Sequence, residues 1–339
     1  MLKKLKIICL AIITISVISF NLPTKNVTAQ TSLTSQSGGL TLTKTPENPE
    51  PNQSVVIKAN SYSINIDSST IRWYVDDVLK KEGIGEKTFN LQTGKSGEVI
   101  NIRTEVITYD GRNFQQELSI LPSRVDILVE SDSYTPPLYK GKAYFVGQGT
   151  AKIIAVPDIV INGEKAENSS LNFKWEKNGM VLGNLSGTGR NTLIIEGEIP
   201  MKDIYIKLDI LNTSRNVLAS KFFVVSPQKT QIVFYENSSL YGLLLNKSLV
   251  GNYSMGNKEE IKIVAKPYFF NISSQDSEEI NYKWTLNNKT VSLDGKKNEL
   301  ILRQNSKDPK GKTPVRLKIE GQKRIFQFAE NNFNILFGE

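Results

Sequence analysis

Leu171-Asn172-Phe173-Lys174-Trp175-Glu176-Lys177-Asn178-Gly179 is the stretch that decides the fold. Leu171, Phe173 and Trp175 alternate with polar residues, the period-two pattern of a strand with one buried face. Asn178-Gly179 then supplies residues that accept positive φ, as a tight hairpin turn requires. The pattern occurs three times. Ile71-Arg72-Trp73 leads to Asp76-Asp77, and Ile280-Asn281-Tyr282-Lys283-Trp284 leads to Asn287-Asn288, each turn beginning three residues past its tryptophan. Trp73, Trp175 and Trp284 are the chain's only tryptophans, and they stand 102 and 109 residues apart. Each is expected at the buried centre of its own repeat.

The match extends on both sides. Upstream lie three copies of one strand: Val55-Val56-Ile57-Lys58-Ala59, Ala151-Lys152-Ile153-Ile154-Ala155 and Ile261-Lys262-Ile263-Val264-Ala265. Downstream come Thr88 to Leu91, Asn191 to Ile195 and Asn298 to Leu302, and then long alternating runs from Val99, Ile204 and Val315. A closing strand is expected at Leu118–Leu121, Phe222–Val225 and Phe333–Phe337, with Pro122 and Pro227 breaking the sheet after the first two. No stretch beyond the N-terminus carries a sustained helical apolar period. A period near 100 residues with about seven short strands per unit predicts an all-β chain of three tandem β-sandwiches. The predicted domains are 40–123, 124–227 and 228–339, after a polar flexible lead at 30–39.

Residues 1–29 read as a signal peptide. Lys3, Lys4 and Lys6 precede an apolar run of 14 residues, Ile7 to Phe20, and the segment ends in Val27-Thr28-Ala29. The run is short of the ~18–20 residues that a spanning helix needs, which favours cleavage over an anchor. Cys9 sits near the start of the run, not at its end, so a lipoprotein is rejected. The sequence thus predicts a secreted or cell-envelope protein, with membrane contact only through an uncleaved N-terminus. Residues 1–29 hold four lysines and no acid, so the 42 basic residues fall to 38 against 34 acidic ones, a net charge of +4. That balance gives no concentrated basic face and no case for nucleic acid.

Two absences exclude more. The chain has no histidine, and its single cysteine, Cys9, lies in the signal segment. Ser-His-Asp and Cys-His catalysis are therefore excluded, along with the usual zinc, copper and haem sites. The mature fold has no disulfide and depends on hydrophobic cores. No metal, no cofactor and no catalytic residue are predicted.

Tryptophan on the third strand, a hydrophobic second strand and a long sixth strand resemble the immunoglobulin-like superfamily, including bacterial Ig-like and PKD-like domains. The flanking cysteines of antibody domains are missing, and the Gly-Asp-Gly turn of PKD repeats is replaced at all three turns. Trp73-Tyr74-Val75-Asp76, Tyr134-Thr135-Pro136-Pro137-Leu138-Tyr139-Lys140-Gly141, Ser239-Leu240-Tyr241-Gly242, Pro267-Tyr268-Phe269-Phe270 and Leu336-Phe337-Gly338 also resemble exported three-domain proteins of uncultivated small-genome bacteria. The resemblance implies the fold and carries no activity with it.

Among residue types left for chemistry, paired carboxylates come first, as in glycoside hydrolysis. Asp76-Asp77, Glu259-Glu260 and Glu278-Glu279 are the candidates, but neighbours on a strand point to opposite faces. Calcium at a junction would use Asp126, Glu130 and Asp132, with Glu236 at the next one, yet there is no Asp-x-Asp-x-Asp-Gly loop. Solvated surface charge accounts for these acids better. Gly183 to Gly189 lacks the Lys-Ser/Thr of a phosphate loop and reads as a connection.

Tyrosines at the domain starts form the candidate binding set: Tyr134 and Tyr139 around Pro136-Pro137, and Tyr235 and Tyr241 at the corresponding place in the third repeat. They are suited to stacking on sugar rings, to anchoring a protein, or to packing across the junctions and stiffening the chain, the last being the better fit. Pro267 to Phe270 is either core or an exposed apolar loop. The sequence thus predicts a non-enzymatic scaffold or adhesin-like protein whose partner is an envelope protein or a surface polysaccharide. The alternatives are a carbohydrate-binding module and a carboxylate-dependent glycosidase.

Overall fold

The computed structural model describes residues 39–304 and 310–338. The expected signal peptide and residues 30–38 of the polar lead lie outside the described residues.

The first sandwich holds β1 (Thr41–Thr45), β2 (Ser54–Asn60), β3 (Thr70–Val75), β4 (Val78–Ile84), β5 (Thr88–Gln92), β6 (Ile100–Ile107) and β7 (Asn113–Ile120). One sheet is ordered β1-β2-β5 and the other β4-β3-β6-β7. The second sandwich begins with β8 (Arg124–Ser131) and β9 (Thr150–Asp158), then a small hairpin of β10 (Val160–Ile161) and β11 (Glu164–Lys165). It continues through β12 (Asn172–Lys177), β13 (Met180–Val181), β14 (Gly187–Thr188), β15 (Thr192–Glu196), β16 (Ile204–Leu211) and β17 (Val217–Val225). Its sheets run β15-β9-β8 and β13-β12-β16-β17, with β14 on β12.

The third sandwich adds strands to both edges. It comprises β18 (Gln231–Ser238), β19 (Gly242–Ser248), β20 (Asn252–Ser254), β21 (Glu260–Tyr268), β22 (Ile280–Leu286), β23 (Lys289–Val291), β24 (Glu299–Arg303), β25 (Gly311–Gly321) and β26 (Phe328–Phe337). The orders are β19-β18-β21-β24 and β20-β26-β25-β22-β23. The β20–β26 pairing is parallel, the edge exchange of an immunoglobulin-like sandwich.

The alternation in the sequence explains why these strands form. Val55, Ile57 and Ala59 on β2, Ala151, Ile153 and Ala155 on β9, and Ile261, Ile263 and Ala265 on β21 are all buried and face the tryptophan-bearing sheet. Trp73, Trp175 and Trp284 are at most 1% exposed. Each indole N–H is satisfied by a main-chain carbonyl ahead of the next strand: Glu86 at 2.8 Å, Arg190 at 2.9 Å and Lys297 at 2.9 Å. A large ring is thus buried without an orphaned donor. The turns after the tryptophans have positive φ at both central residues, 47° and 63° at Asp76-Asp77, 51° and 80° at Asn178-Gly179, 48° and 62° at Asn287-Asn288. This is the hairpin geometry predicted from Asn-Gly.

The closing strands start earlier than expected, at Asn113, Val217 and Phe328. Their first halves carry polar residues on both faces: Gln115 and Asn332 point outward, while Gln116 and Asn331 stand in the inward register beside Phe114 and Phe333, which hides the strand pattern. The first and second sandwiches meet through Lys221 Nζ and Glu50 Oε1 at 2.9 Å, and through Ser96 Oγ donating to the Asp158 carbonyl at 2.8 Å. Gly97 (φ +82°) lies so close to β10 that an added Cβ would stand 2.4 Å from Val160 Cβ.

Candidate functional site

The irregular segment between β8 and β9, residues 132–149, leaves the second sandwich and lies on the outer face of the third. It is held there by main chain. The Tyr134 N–H donates to the Phe270 carbonyl at 2.6 Å, and the Phe269 N–H donates to the Tyr134 carbonyl at 2.7 Å. Gln228 N–H donates to the Phe145 carbonyl at 2.7 Å, and Val146 and Gln228 form a parallel bridge. From the third sandwich, Arg324 reaches the carbonyls of Gln148 and Asn271, each at 3.1 Å. Gln327 Nε2 donates to the Gly147 carbonyl at 2.8 Å while its Oε1 accepts from Asn271 N–H at 2.8 Å. These bonds are directional, and those of Gln327 are buried, so this junction has one register.

Gln231, Val233 and Tyr235 form the outward row of β18, and Tyr268 ends β21 across from Gln231. Tyr139 and Tyr144 from the crossing segment close over them, with Phe269, to form a cleft of about 450 Å³. Tyr139 meets Tyr268 edge-on at 5.5 Å and Phe269 at 5.8 Å, and Tyr144 packs on Phe269 at 4.6 Å. The hydroxyls of Tyr235 and Tyr268 lie 3.3 Å apart. Burial, then the bond to Tyr235, pushes the Tyr268 phenol well above its ordinary value, so it stays protonated and able to donate. Phe269 has φ +64° and is 3% exposed, an expensive backbone conformation for a bulky residue that the surrounding contacts hold in place.

The structure brings Tyr134, Tyr139 and Tyr235 to this single junction and separates Tyr241 from them. The expectation of two matching pairs at two junctions is corrected here. Tyr241 sits at the tip of the β18–β19 hairpin, 77% exposed, and the second sandwich has no counterpart of that hairpin. The segment after β8 is irregular instead, because Pro136-Pro137 removes the donors that a hairpin needs. Tyr134 is half-buried beside Tyr282 and Asp276, its phenol raised first by burial and then by the Asp276 charge. Tyr144 is a cleft residue that the sequence gives no signal for, since it follows the polar Lys140-Gly141-Lys142 stretch; Tyr268 stands out in the sequence only as part of the Pro267 to Phe270 run, not with the tyrosine set. Of Pro267 to Phe270, Phe270 belongs to the core and Tyr268 and Phe269 to the cleft.

One member or both of each carboxylate pair considered for chemistry has a structural partner. Asp76 Oδ1 accepts from the Asn101 N–H at 3.0 Å, and Asp77 pairs with Arg103 at 3.4 Å. Glu260 pairs with Arg303 at 2.6 Å, and Glu279 accepts from Ser277 Oγ at 3.0 Å. No group of three or more potential metal ligands occurs among the described residues. Asp126 pairs with Arg124 at 3.5 Å, and Asp132 accepts from the Thr150 N–H at 3.1 Å. Glu236 is buried, not poised at a junction: Lys258 Nζ lies 2.5 Å from it and the Tyr253 hydroxyl donates to its other oxygen. Burial raises this carboxyl, but the bonds from Lys258 and Tyr253 outweigh it and hold it below the usual 4.5.

A second cleft at the same junction, about 680 Å³, is more apolar; Val146, Met201, Val250, Phe326 and Phe328 are among its lining residues.

No known family matches the sequence, and no curated protein does. Among solved structures, the chain is similar to the fibronectin(III)-like modules of Clostridium thermocellum CbhA, at 14% identity over 56% of this chain and 94% of that one, with a TM-score of 0.28. The three N-terminal domains of the bacteriophage RB49 outer capsid protein Hoc share 13% identity over 88% of this chain and 98% of theirs, with a TM-score of 0.26. A protein of a Bacteroides ovatus mixed-linkage glucan utilization locus, solved with a mixed-linkage heptasaccharide, shares 12% identity over 85% and 64%, with a TM-score of 0.23. At these TM-scores the fold assignment stands on this chain's own strand order.

Proposed function

We propose that this chain is a non-enzymatic scaffold of the cell envelope or its exterior, an adhesin-like protein that holds a partner on its coupled second and third sandwiches. One observation carries the reading: the reciprocal main-chain bonds between Tyr134 and the Phe269-Phe270 stretch, reinforced by Arg324 and Gln327. Sandwiches in one chain move relative to each other by default. Spending so many directional bonds on one junction serves a protein whose task is to fix spacing and orientation. The apolar leader and the lack of histidine and mature cysteine support export and argue against the common catalytic devices.

A second reading, carbohydrate binding, is favoured by the aromatic cleft of Tyr139, Tyr144, Tyr235 and Tyr268. The experiment is capture from an envelope extract on immobilised residues 30–339, with and without protease pretreatment. A defined protein set that protease removes supports the scaffold. A polysaccharide that survives protease moves the assignment to the second reading. Turnover of a glycoside by the purified chain contradicts both.

A further inference from the structure

We propose that the cleft between the crossing segment and β18–β21 binds a single neutral hexopyranose unit of a glycan, with Tyr144 as the stacking residue and the Tyr235 and Tyr268 hydroxyls as hydrogen-bonding partners. The proposal rests on the second reading above and names its site and sugar class.

Several observations support it. Tyr144 is 45% exposed while packed from one side against Phe269, so one part of its ring stays open to a ligand. A pyranose presents a patch of C–H groups that suits the electron-rich face of an aromatic ring. The main chain at Tyr144 is also fixed before any ligand arrives: the hydroxyls of Ser131 and Ser133 both donate to its carbonyl, at 3.0 Å and 2.7 Å, while Phe269 backs the ring. A platform already held costs little ordering on binding.

The polar groups are few and uncharged. Tyr235 Oη and Tyr268 Oη stand 3.3 Å apart, and Gln231 adds an amide on the same row. Hydroxyls and an amide both donate and accept, which matches sugar hydroxyls. No charged side chain lines the cleft. Lys266, on the same face, is turned to Gln275 Oε1 at 2.9 Å. A uronate, sialate or phosphorylated sugar would bury a charge here with nothing to pair it. A volume near 450 Å³ holds one ring, with the rest of the chain leaving through the open side. Phe269, with φ +64° and its ring packed by Tyr139, Tyr144 and Tyr268, is held in one conformation beside the cleft before any ligand binds.

The test uses residues 30–339 in affinity electrophoresis and calorimetry against cello-, manno-, malto- and galacto-oligosaccharides, with oligogalacturonate as the charged probe and choline as a cationic probe for an aromatic cage. At least one neutral probe is expected to bind. Tyr144→Ala should weaken it about tenfold with an unaltered melting temperature, as loss of one stacking contact does. Tyr268→Phe, which keeps the ring and its packing, should weaken it as well, and Tyr241→Ala should leave it unaltered. Neutral-sugar binding that survives both Tyr144→Ala and Tyr268→Phe keeps the carbohydrate reading and overturns this site. Binding of oligogalacturonate or choline alone overturns the neutral class. Binding of no probe overturns the site and the carbohydrate reading together, and leaves the scaffold reading standing.

Discussion

Tyr134 of the second sandwich donates its main-chain N–H to the carbonyl of Phe270 in the third at 2.6 Å. A side-chain contact between domains can be lost by drift or substitution, but a main-chain pair fixes two backbones in register. Phe269 returns a bond to Tyr134 at 2.7 Å, so the irregular crossing segment is pinned to the neighbouring domain by main chain on both sides of one residue. The aromatic cleft exists because of that crossing: β18 and β21 supply its floor and the segment from the second sandwich supplies its wall.

Arg324→Ala should loosen this junction without unfolding either sandwich. The guanidinium holds the Gln148 and Asn271 carbonyls, and hydrogen bonds from a charged donor are worth ~1.5–3 kcal/mol each at most. Calorimetry of the parent should show the second and third sandwiches melting together. The variant should split that transition in two; a single unchanged transition would mean that Arg324 does not couple them.

Trp175→Ala should cost ~3–5 kcal/mol, confined to the second sandwich, and Trp73→Ala and Trp284→Ala should do the same in theirs. Each ring is buried and its N–H engaged, so a cavity and an unpaired carbonyl arise together. Acrylamide quenching of native tryptophan fluorescence checks the burial directly. Free quenching at any of the three contradicts the packing described.

The fold was legible because the tryptophan repeat is a packing rule repeated three times: the ring, the hairpin turn after it and the apolar second strand all depend on local alternation. Strands β1, β8 and β18 lie outside that pattern, and the β18–β19 hairpin has no partner repeat to reveal it. The cleft was half legible. Tyr134, Tyr139 and Tyr235 stood out as aromatics at domain starts, but Tyr144 joins them only through contacts between sandwiches, and Tyr268 only through the pairing of β21 with β18. Tyr241 shared their sequence position without sharing their place in space.

Glu236 makes the stability of the third sandwich depend on pH in a stated direction. Its folded carboxyl is held below the usual 4.5 by Lys258 and Tyr253 against the opposing effect of burial. The unfolded state therefore binds its proton first, so the stabilisation is complete above the ordinary carboxylate range and is lost as pH falls through the depressed folded value. Melting temperature of this sandwich should drop on acidification more steeply in the parent than in Glu236→Gln. Parallel curves would show that the cluster does not contribute.

Gly97→Ala should separate the first sandwich from the second. The added Cβ would meet Val160 at 2.4 Å on a backbone of φ +82°, so both contact and conformation oppose it. The Glu50–Lys221 pair beside it is partly exposed and screened by salt, so it offsets only ~0.2–1 kcal/mol of that loss. Limited proteolysis near residues 121–123 should speed up, while melting of the third sandwich stays as in the parent. Equal cleavage rates would place the junction's strength elsewhere.

The most direct test is residual dipolar coupling of backbone amides in residues 124–304 and 310–338, measured in one alignment medium. A single alignment tensor that fits both sandwiches is the result a fixed Tyr134–Phe270 register predicts. Two tensors of different magnitude would mean that the sandwiches reorient independently, and would contradict the scaffold account at its base.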